Sequence, residues 1–248
     1  MRYSLILLLV LARFAHGAWT VKEQTSLPSR GKTQFQRLEI TNGTDQVRMN
    51  VVLFSAADCT FALMDDPEGV FDLASASRKR GALAAVNGGY FHPDRTPLGL
   101  RIRKGLEIHP LERAKLLSGA MIIRGSEISL VRVSELKGTS KLQEAVQAGP
   151  FLVDRGLPVA GLEGSRKAAR TVIVAGPQPH FALVTLDSTT LKDAGAILAT
   201  PSLFGKWTVV RALNLDGGSS TGLWVGGSEP FYQREWRDVR DFVAIVPR

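Results

Sequence analysis

The stretch Thr171-Val172-Ile173-Val174-Ala175-Gly176-Pro177-Gln178-Pro179-His180-Phe181-Ala182-Leu183-Val184-Thr185-Leu186 sets the fold class. Two runs of β-branched and apolar side chains flank a Gly-Pro-Gln-Pro segment. Such side chains suit a pleated, buried surface, and the glycine and prolines stop one strand and turn the chain back, so the stretch predicts an antiparallel hairpin. The pattern recurs outward in both directions. Gln34–Thr41 and Val47–Phe54 flank the turn chemistry of Asn42-Gly43-Thr44-Asp45, whose first three residues also match a glycosylation sequon. Leu98–Arg103 pairs with Leu106–His109 across Lys104-Gly105, and Ala120–Ile123 with Ile128–Val133 across Arg124-Gly125-Ser126. Phe151–Val153 and Leu157–Val159 surround Asp154-Arg155-Gly156. Phe61–Met64, Ala82–Val86, Val209–Leu215, Leu223–Val225 and Val239–Val246 read as further strands. Helices are few. Asp72 can cap one through its carboxylate and Gly81 can end it in the left-handed conformation, with Leu73, Ala76 and Arg80 at helical spacing. Leu191–Ala199 is a second, stopped by Pro201. The prediction is α+β: mostly antiparallel mixed sheets with a few flanking helices in a single domain.

Composition agrees with a folded domain. The chain has 248 residues, of which 44% are hydrophobic and 22% charged, enough to bury a core and too balanced for disorder or a multi-span membrane protein. The lone cysteine, Cys59, excludes an intramolecular disulfide and a cysteine zinc cluster. The formal charge of +8 favours anionic partners in general. The basic residues are dispersed, with only short clusters such as Arg78-Lys79-Arg80, so no nucleic-acid arm is indicated. At the N-terminus, Met1-Arg2-Tyr3, the apolar run Leu5–Ala12 and the small residues of Ala15-His16-Gly17 form a signal-peptide pattern. Residues 1–17 are expected to be removed before Ala18, leaving an exported 18–248 domain with no membrane span. Retention of the leader as an anchor is the alternative.

Two segments share a chemical pattern: an apolar run, a polar side chain, then paired glycines. They are Ala85-Val86-Asn87-Gly88-Gly89-Tyr90-Phe91 and Asn214-Leu215-Asp216-Gly217-Gly218-Ser219-Ser220-Thr221. Paired glycines let backbone approach a ligand and aim N–H groups at an anion; the plainer reading is a tight turn with an Asx hydrogen bond. A third segment, Gln147-Ala148-Gly149-Pro150, is followed by Ser165-Arg166 and Arg170-Thr171. Arginine forks suit phosphate or carboxylate, although a loop arginine is ordinarily a solvated one. No G-x-S-x-G elbow accompanies Ser219-Ser220-Thr221, and His92, His109 and His180 lack ligand-pair spacing, so neither a serine hydrolase nor a histidine metal centre is indicated.

Taken in order, Ala85–Phe91, Gln147–Val153, Arg170-Thr171, Asn214–Thr221 and the closing Asp241–Arg248 resemble the phosphodiester glycosidase family, with coverage from about Phe61 onward. Ser219 stands where the family often has a third glycine. The resemblance implies hydrolysis of the bond between an anomeric carbon and a phosphodiester, on a small-molecule or glycan substrate, with no cofactor or metal assigned. It implies Asp216, Arg170 and Asn87 as catalytic residues. Arg170 and Arg166 would clamp phosphate, and Asn87 would orient a sugar hydroxyl or phosphate oxygen. Asp216 would stabilise the sugar cation, attack it, or activate water. Gly88, Gly89, Gly149, Gly217, Gly218 and Ser219 would line the substrate. The absence of a cysteine framework and the short leader favour a bacterial exported protein, periplasmic or extracellular. The competing reading is a non-catalytic periplasmic binder of phosphorylated or acidic envelope glycan.

Overall fold

The Thr171–Leu186 hairpin lies in the middle of the largest sheet of the computed structural model, which describes residues 17–248. The signal-peptide reading of residues 1–17 lies, Gly17 apart, outside the described residues. In chain order the first strands are β1 (Thr20–Leu27), β2 (Thr33–Thr41), β3 (Gln46–Ser55) and β4 (Cys59–Asp65). Helix α1 (Leu73–Arg80) precedes β5 (Ala84–Asn87), β6 (Arg101–Arg103), β7 (Leu106–His109), β8 (Gly119–Arg124) and β9 (Glu127–Arg132). Then come β10 (Leu142–Ala148), β11 (Phe151–Asp154), β12 (Leu157–Pro158), β13 (Ala168–Ala175) and β14 (His180–Thr189). Helix α2 (Leu191–Leu198) leads to β15 (Arg211–Asn214), β16 (Leu223–Val225), β17 (Phe231–Gln233) and β18 (Asp241–Pro247).

The strands form three sheets with antiparallel pairing between neighbours. The eight-stranded sheet runs β1-β2-β3-β14-β13-β15-β11-β12; the two five-stranded sheets run β7-β6-β10-β8-β9 and β17-β16-β5-β18-β4. Alternating side chains point one face of each sheet toward a shared core. Phe54, Ile173, Phe181 and Leu213 come from the large sheet, Met121 and Val146 from the second, and Phe61, Val86, Leu223 and Val243 from the third. The opposite face of the large sheet buries Ala194, Ile197 and Leu198 of α2. The opposite face of the third sheet buries Leu73, Ala74 and Ala76 of α1. Asp72 accepts from Ser75 N at 2.7 Å, and Gly81 closes α1 at φ 68°, as its sequence predicts.

Three strands escape sequence reading. β1 (TVKEQTSL) is an almost wholly exposed edge strand with no apolar stripe. β10 (LQEAVQA) has charged and amide side chains where a buried strand would show apolar ones. Its Glu144 and Gln147 are buried because backbone N–H and C=O groups of neighbouring segments bond to them. β17 is three residues long.

A fully buried charged contact joins the two five-stranded sheets. Arg101 begins β6 and Asp241 begins β18; their side chains are wholly buried, with Nε 2.7 Å from Oδ2. Arg101 Nη1 also donates to the carbonyls of Leu98 (3.2 Å), Leu100 (3.1 Å) and Gln147 (3.0 Å), and Nη2 to that of Tyr90 (3.1 Å). A buried guanidinium is tolerable only when its donors and its charge are answered in this way. Asp241→Ala leaves that charge uncompensated. It should lower the unfolding free energy by about 3–5 kcal/mol in a denaturant titration, whereas a pair of merely surface character would yield about 1 kcal/mol or less.

Candidate active site

The site forms where the C-terminal ends of β5 and β15 and the N-terminal part of β13 come together. Val172 of β13 pairs with Asn214 of β15, and Leu215 N donates to Thr171 O at 2.8 Å. Continuing that register by two places sets Asp216 opposite Arg170. The third participant, β5, belongs to another sheet and reaches the same place through Asn87.

Asn87 is 1% exposed, and its amide is spent on protein. Nδ2 donates to Asp216 O at 2.8 Å, while Oδ1 accepts from Thr171 Oγ1 at 2.7 Å and from Gly222 N at 3.2 Å. The structure therefore gives Asn87 a task different from the direct substrate contact expected of it. It ties the strand carrying Arg170 to the loop carrying Asp216 and thereby positions both.

The first glycine pair also receives a different explanation. Gly88 N donates to Asp241 O at 2.8 Å and Gly89 N to Asp241 Oδ1 at 3.0 Å, so neither amide is free for an anion. A Cβ on Gly88 would lie 1.6 Å from Asp241 Oδ1, and one on Gly89 2.1 Å from Arg101 Nη2. The glycines admit the buried ion pair, not a ligand. Gly149 is likewise behind the site: its carbonyl accepts from Tyr90 Oη (2.7 Å) and Asn214 Nδ2 (3.2 Å). The amide of Gly217 donates to its neighbour Asp216 Oδ1 at 2.9 Å, and a Cβ there would meet Ala169 O at 2.7 Å.

The remaining candidate residues are less fully committed to protein partners. Asp216 is partly buried, and that burial pushes its carboxyl above the usual carboxylate range, against the opposing pull of the Ser220 hydroxyl, the Gly217 amide and the Arg237 charge. Arg170 is partly buried; Nε donates to Thr189 O at 3.1 Å and Nη2 to Arg166 O at 2.8 Å, leaving Nη1 without a hydrogen bond among the described residues. Burial pushes its guanidinium down, while Tyr90 and Glu163 favour the charged form. The Arg166 side chain is exposed. Its backbone is held by Glu163, whose carboxylate accepts from Arg166 N (2.9 Å) and Ser165 Oγ (2.6 Å) and is pulled down by those bonds. Glu163 thus shapes the arginine turn. Past Asp216 the chain enters a 3-10 turn, Gly218–Ser220, in which Gly218 adopts φ 62°. The Gly218 and Ser219 N–H groups make no hydrogen bond among the described residues.

Tyr90 belongs to the first glycine motif, which by itself assigns it no role. Its hydroxyl receives Asn214 Nδ2 at 3.0 Å, and burial, followed by the charge of Asp216, pushes its pKa upward, so it stays a neutral donor. Arg237 lies outside every motif of the sequence. It lies 4.8 Å over the Phe91 ring, and its charge acts on Asp216, from a loop far along the chain that no local pattern connects to the site. Among the described residues, no three His, Cys, Asp or Glu side chains gather as a metal-ligand set.

This is an α+β domain of antiparallel sheets with an aspartate and an arginine brought opposite each other at strand ends. A family model described as phosphodiester glycosidase matches residues 80–246, and the chain belongs to that family. The uncharacterized protein YigE of Escherichia coli K12 is 29% identical over 92 residues, which covers 34% of this chain and about a third (36%) of that relative. Among solved structures, a hypothetical protein from Synechocystis aligns at a TM-score of 0.66 and 15% identity, over 91% of this chain and 64% of that one. The catalytic domain of zebrafish N-acetylglucosamine-1-phosphodiester alpha-N-acetylglucosaminidase aligns at 0.64 and 17% identity, over 91% and 88%. A putative exported protein from Burkholderia pseudomallei aligns at 0.53 and 13%, over 85% and 74%. At these identities the structural matches speak for the fold.

Asn87→Ala tests the positioning role. It strands the Thr171 hydroxyl, the Gly222 N–H and the Asp216 carbonyl, and should cost at least about 1–3 kcal/mol of stability in denaturant unfolding. A substitution neutral for stability would remove Asn87 from the framework.

Proposed function

We propose that this protein hydrolyses the glycosyl–phosphate bond of a sugar-1-phosphodiester. What supports the reading is the register of β13 and β15, which, continued two places past the Val172–Asn214 pair, sets Asp216 across from Arg170 in a chain of the phosphodiester glycosidase family. The bond that breaks joins the anomeric carbon to a phosphate oxygen. Its electron pair leaves with the phosphodiester as an anionic monoester, and water supplies the hydroxyl of the freed sugar. Phosphate is a good leaving group, so the demand is for charge stabilisation at both ends of the bond.

Arg170 meets the developing phosphate charge with its uncommitted Nη1, and Arg166 adds a second cation from the turn that Glu163 holds. The free Gly218 and Ser219 amides add neutral donors. Asp216, as carboxylate, faces the positive charge that grows on the sugar ring. Partial burial strengthens that attraction, because a carboxylate partly withdrawn from water is less screened. Tyr90, held by Asn214 and Gly149, supplies an uncharged wall between the two charged side chains. Asn87 keeps the carboxylate loop and the arginine strand in register.

The place of action belongs to the same proposal. We place the protein outside the cytoplasm, periplasmic or extracellular, on the strength of the leader pattern at residues 1–17. No helix among the described residues is long and apolar enough to cross a membrane.

Release of free sugar from a panel of α-sugar-1-phosphodiesters is the direct assay. Asp216→Asn should abolish turnover while substrate binding persists; equal binding and no turnover by the unaltered protein would favour the glycan-binder reading instead. Arg170→Ala should lower kcat/KM by about 10²–10³, the range for removing one transition-state donor. A change within about twofold, less than half a kcal/mol, would remove Arg170 from the clamp.

The rate should also report the Asp216 environment. Burial disfavours its charged form, so the carboxylate is lost at a higher pH than from an ordinary aspartate. The acid limb of kcat/KM against pH should therefore lie above the usual aspartate value of about 3.9, with activity falling as pH drops through it. A limb at or below that value would argue against an ionised Asp216 as the working group.

A further inference from the structure

The two five-stranded sheets meet along a seam, and a cavity opens there beside α1. β4 is an edge strand: β18 pairs with one side of it, and among the described residues no strand pairs with the other. On that free side Glu144 of β10 accepts from Leu63 N at 3.1 Å, which ties the sheets together. The cavity beside this contact measures about 270 Å³. That is near the small end of the range for ligand pockets, about 300–1,000 Å³. None of its lining residues belongs to the candidate active site.

The walls divide by chemistry. Buried Leu63, Met64, Ala76 and Phe242, with half-buried Phe71, give an apolar floor. Three acids also line the cavity, and each is committed to protein. Asp66 accepts from Val70 N at 3.1 Å and from Phe71 N at 2.9 Å, and Asp65 pairs with Arg240. The second Glu144 oxygen accepts from Lys104 N at 3.3 Å. The four bases are not committed. Lys79 and Arg80 come from the last turn of α1, Arg103 and Lys104 from the end of β6 and the turn after it. All four are exposed, and their side chains make no hydrogen bond or ion pair among the described residues. Lys79 Nζ lies 4.3 Å over the Phe71 ring, and the charges of Arg80 and Arg103 both act on Glu144. Cations of one sign gathered at an opening with low-dielectric walls focus their field into it.

We propose that this cavity binds a small amphipathic anion: a carboxylate or phosphate head joined to a short apolar chain or ring. The inference is independent of the reaction proposed at Asp216. Acids turned inward and bases left unspent over an apolar floor make a site of this polarity and no other. The guanidinium forks of Arg80 and Arg103 suit the paired oxygens of the head, and the ammonium groups of Lys79 and Lys104 add point charges. The tail rests on Met64, Phe71 and Phe242, where it leaves water. The volume suits a short tail, not a whole lipid.

Met64 lets the cavity be read from inside, because it lines the wall while Met49 is sealed in another part of the core. The protein is labelled at its methionine methyl groups, with Met64→Leu to assign the signal, and titrated with hexanoate and, separately, with hexyl phosphate. At least one probe should move the Met64 methyl resonance saturably and leave that of Met49 in place. Acetate has the head alone, and hexylammonium has the tail with the opposite charge; both should move it far less at equal concentration. Arg80→Gln and Arg103→Gln should each weaken binding about tenfold, the scale of one hydrogen bond to a charged group. Both side chains are exposed, so an unchanged unfolding midpoint checks that the variants fold. Arg170→Ala should leave the titration unaltered. A Met64 signal that responds to neither probe, or equally to hexylammonium, would overturn the site. So would affinity indifferent to both arginine variants, or a response lost with Arg170→Ala, which would assign the probe to the candidate active site. Absence of glycosidase turnover would defeat the hydrolase reading and leave this titration as it is.

Discussion

Arg101 and Asp241 meet in complete isolation from solvent, and much of the site follows from the geometry their contact imposes. A guanidinium and a carboxylate withdrawn from water must satisfy their donors and acceptors locally, or the desolvation cost exceeds their attraction. Here the remaining donors of Arg101 go to carbonyls of the Tyr90–Leu100 segment and Gln147, and the remaining acceptors of Asp241 take the amides of Gly88 and Gly89. The pair therefore joins two sheets and also dictates the path of the chain leaving β5. Only residues without Cβ fit at the two positions nearest the ions.

From that fixed path the site is built outward. Gly88 O accepts from Asp216 N at 3.2 Å, and Asn87 bonds Asp216 O, so the aspartate loop is anchored to the segment the ion pair shapes. Thr171 joins Asn87 to the arginine strand. Each link satisfies a polar group of the framework, and each also ties the position of Asp216 or of the strand carrying Arg170 to the interior. The two resembling glycine motifs thus serve unlike ends: one accommodates the framework, the other retains free amides beside a half-buried carboxylate.

The electrostatics have the same layered character. The innermost charges cancel in a buried pair, whereas those at the rim are left less compensated. Asp216 is held partly out of water with Arg237 near enough to temper the effect, and Arg170 keeps one terminal nitrogen unspent. In the proposed reaction these are the groups that meet charge only as it develops on the substrate, which is where electrostatic interactions accelerate rather than merely bind.

The sequence by itself determined the antiparallel α+β class, because strand hairpins and helix caps are local: Gly176–Pro179, Asp72 and Gly81 announce their conformations through their own side chains and backbone freedom. It also singled out Asp216 and Arg170 as candidates, since glycine pairs and strand-edge arginines are visible in a few residues, and the family resemblance rests on such pieces. What only the tertiary structure decided was the direction in which each side chain is spent. Asn87 and Asp216 look alike as polar residues before glycines, yet one is enclosed by Thr171, Asp216 and Gly222 while the other stays only partly buried. Likewise, β10 reads as polar until the groups that satisfy Glu144 and Gln147 come from distant segments. Burial and hydrogen-bond satisfaction are properties of partners far apart in the chain, and local pattern carries no record of them.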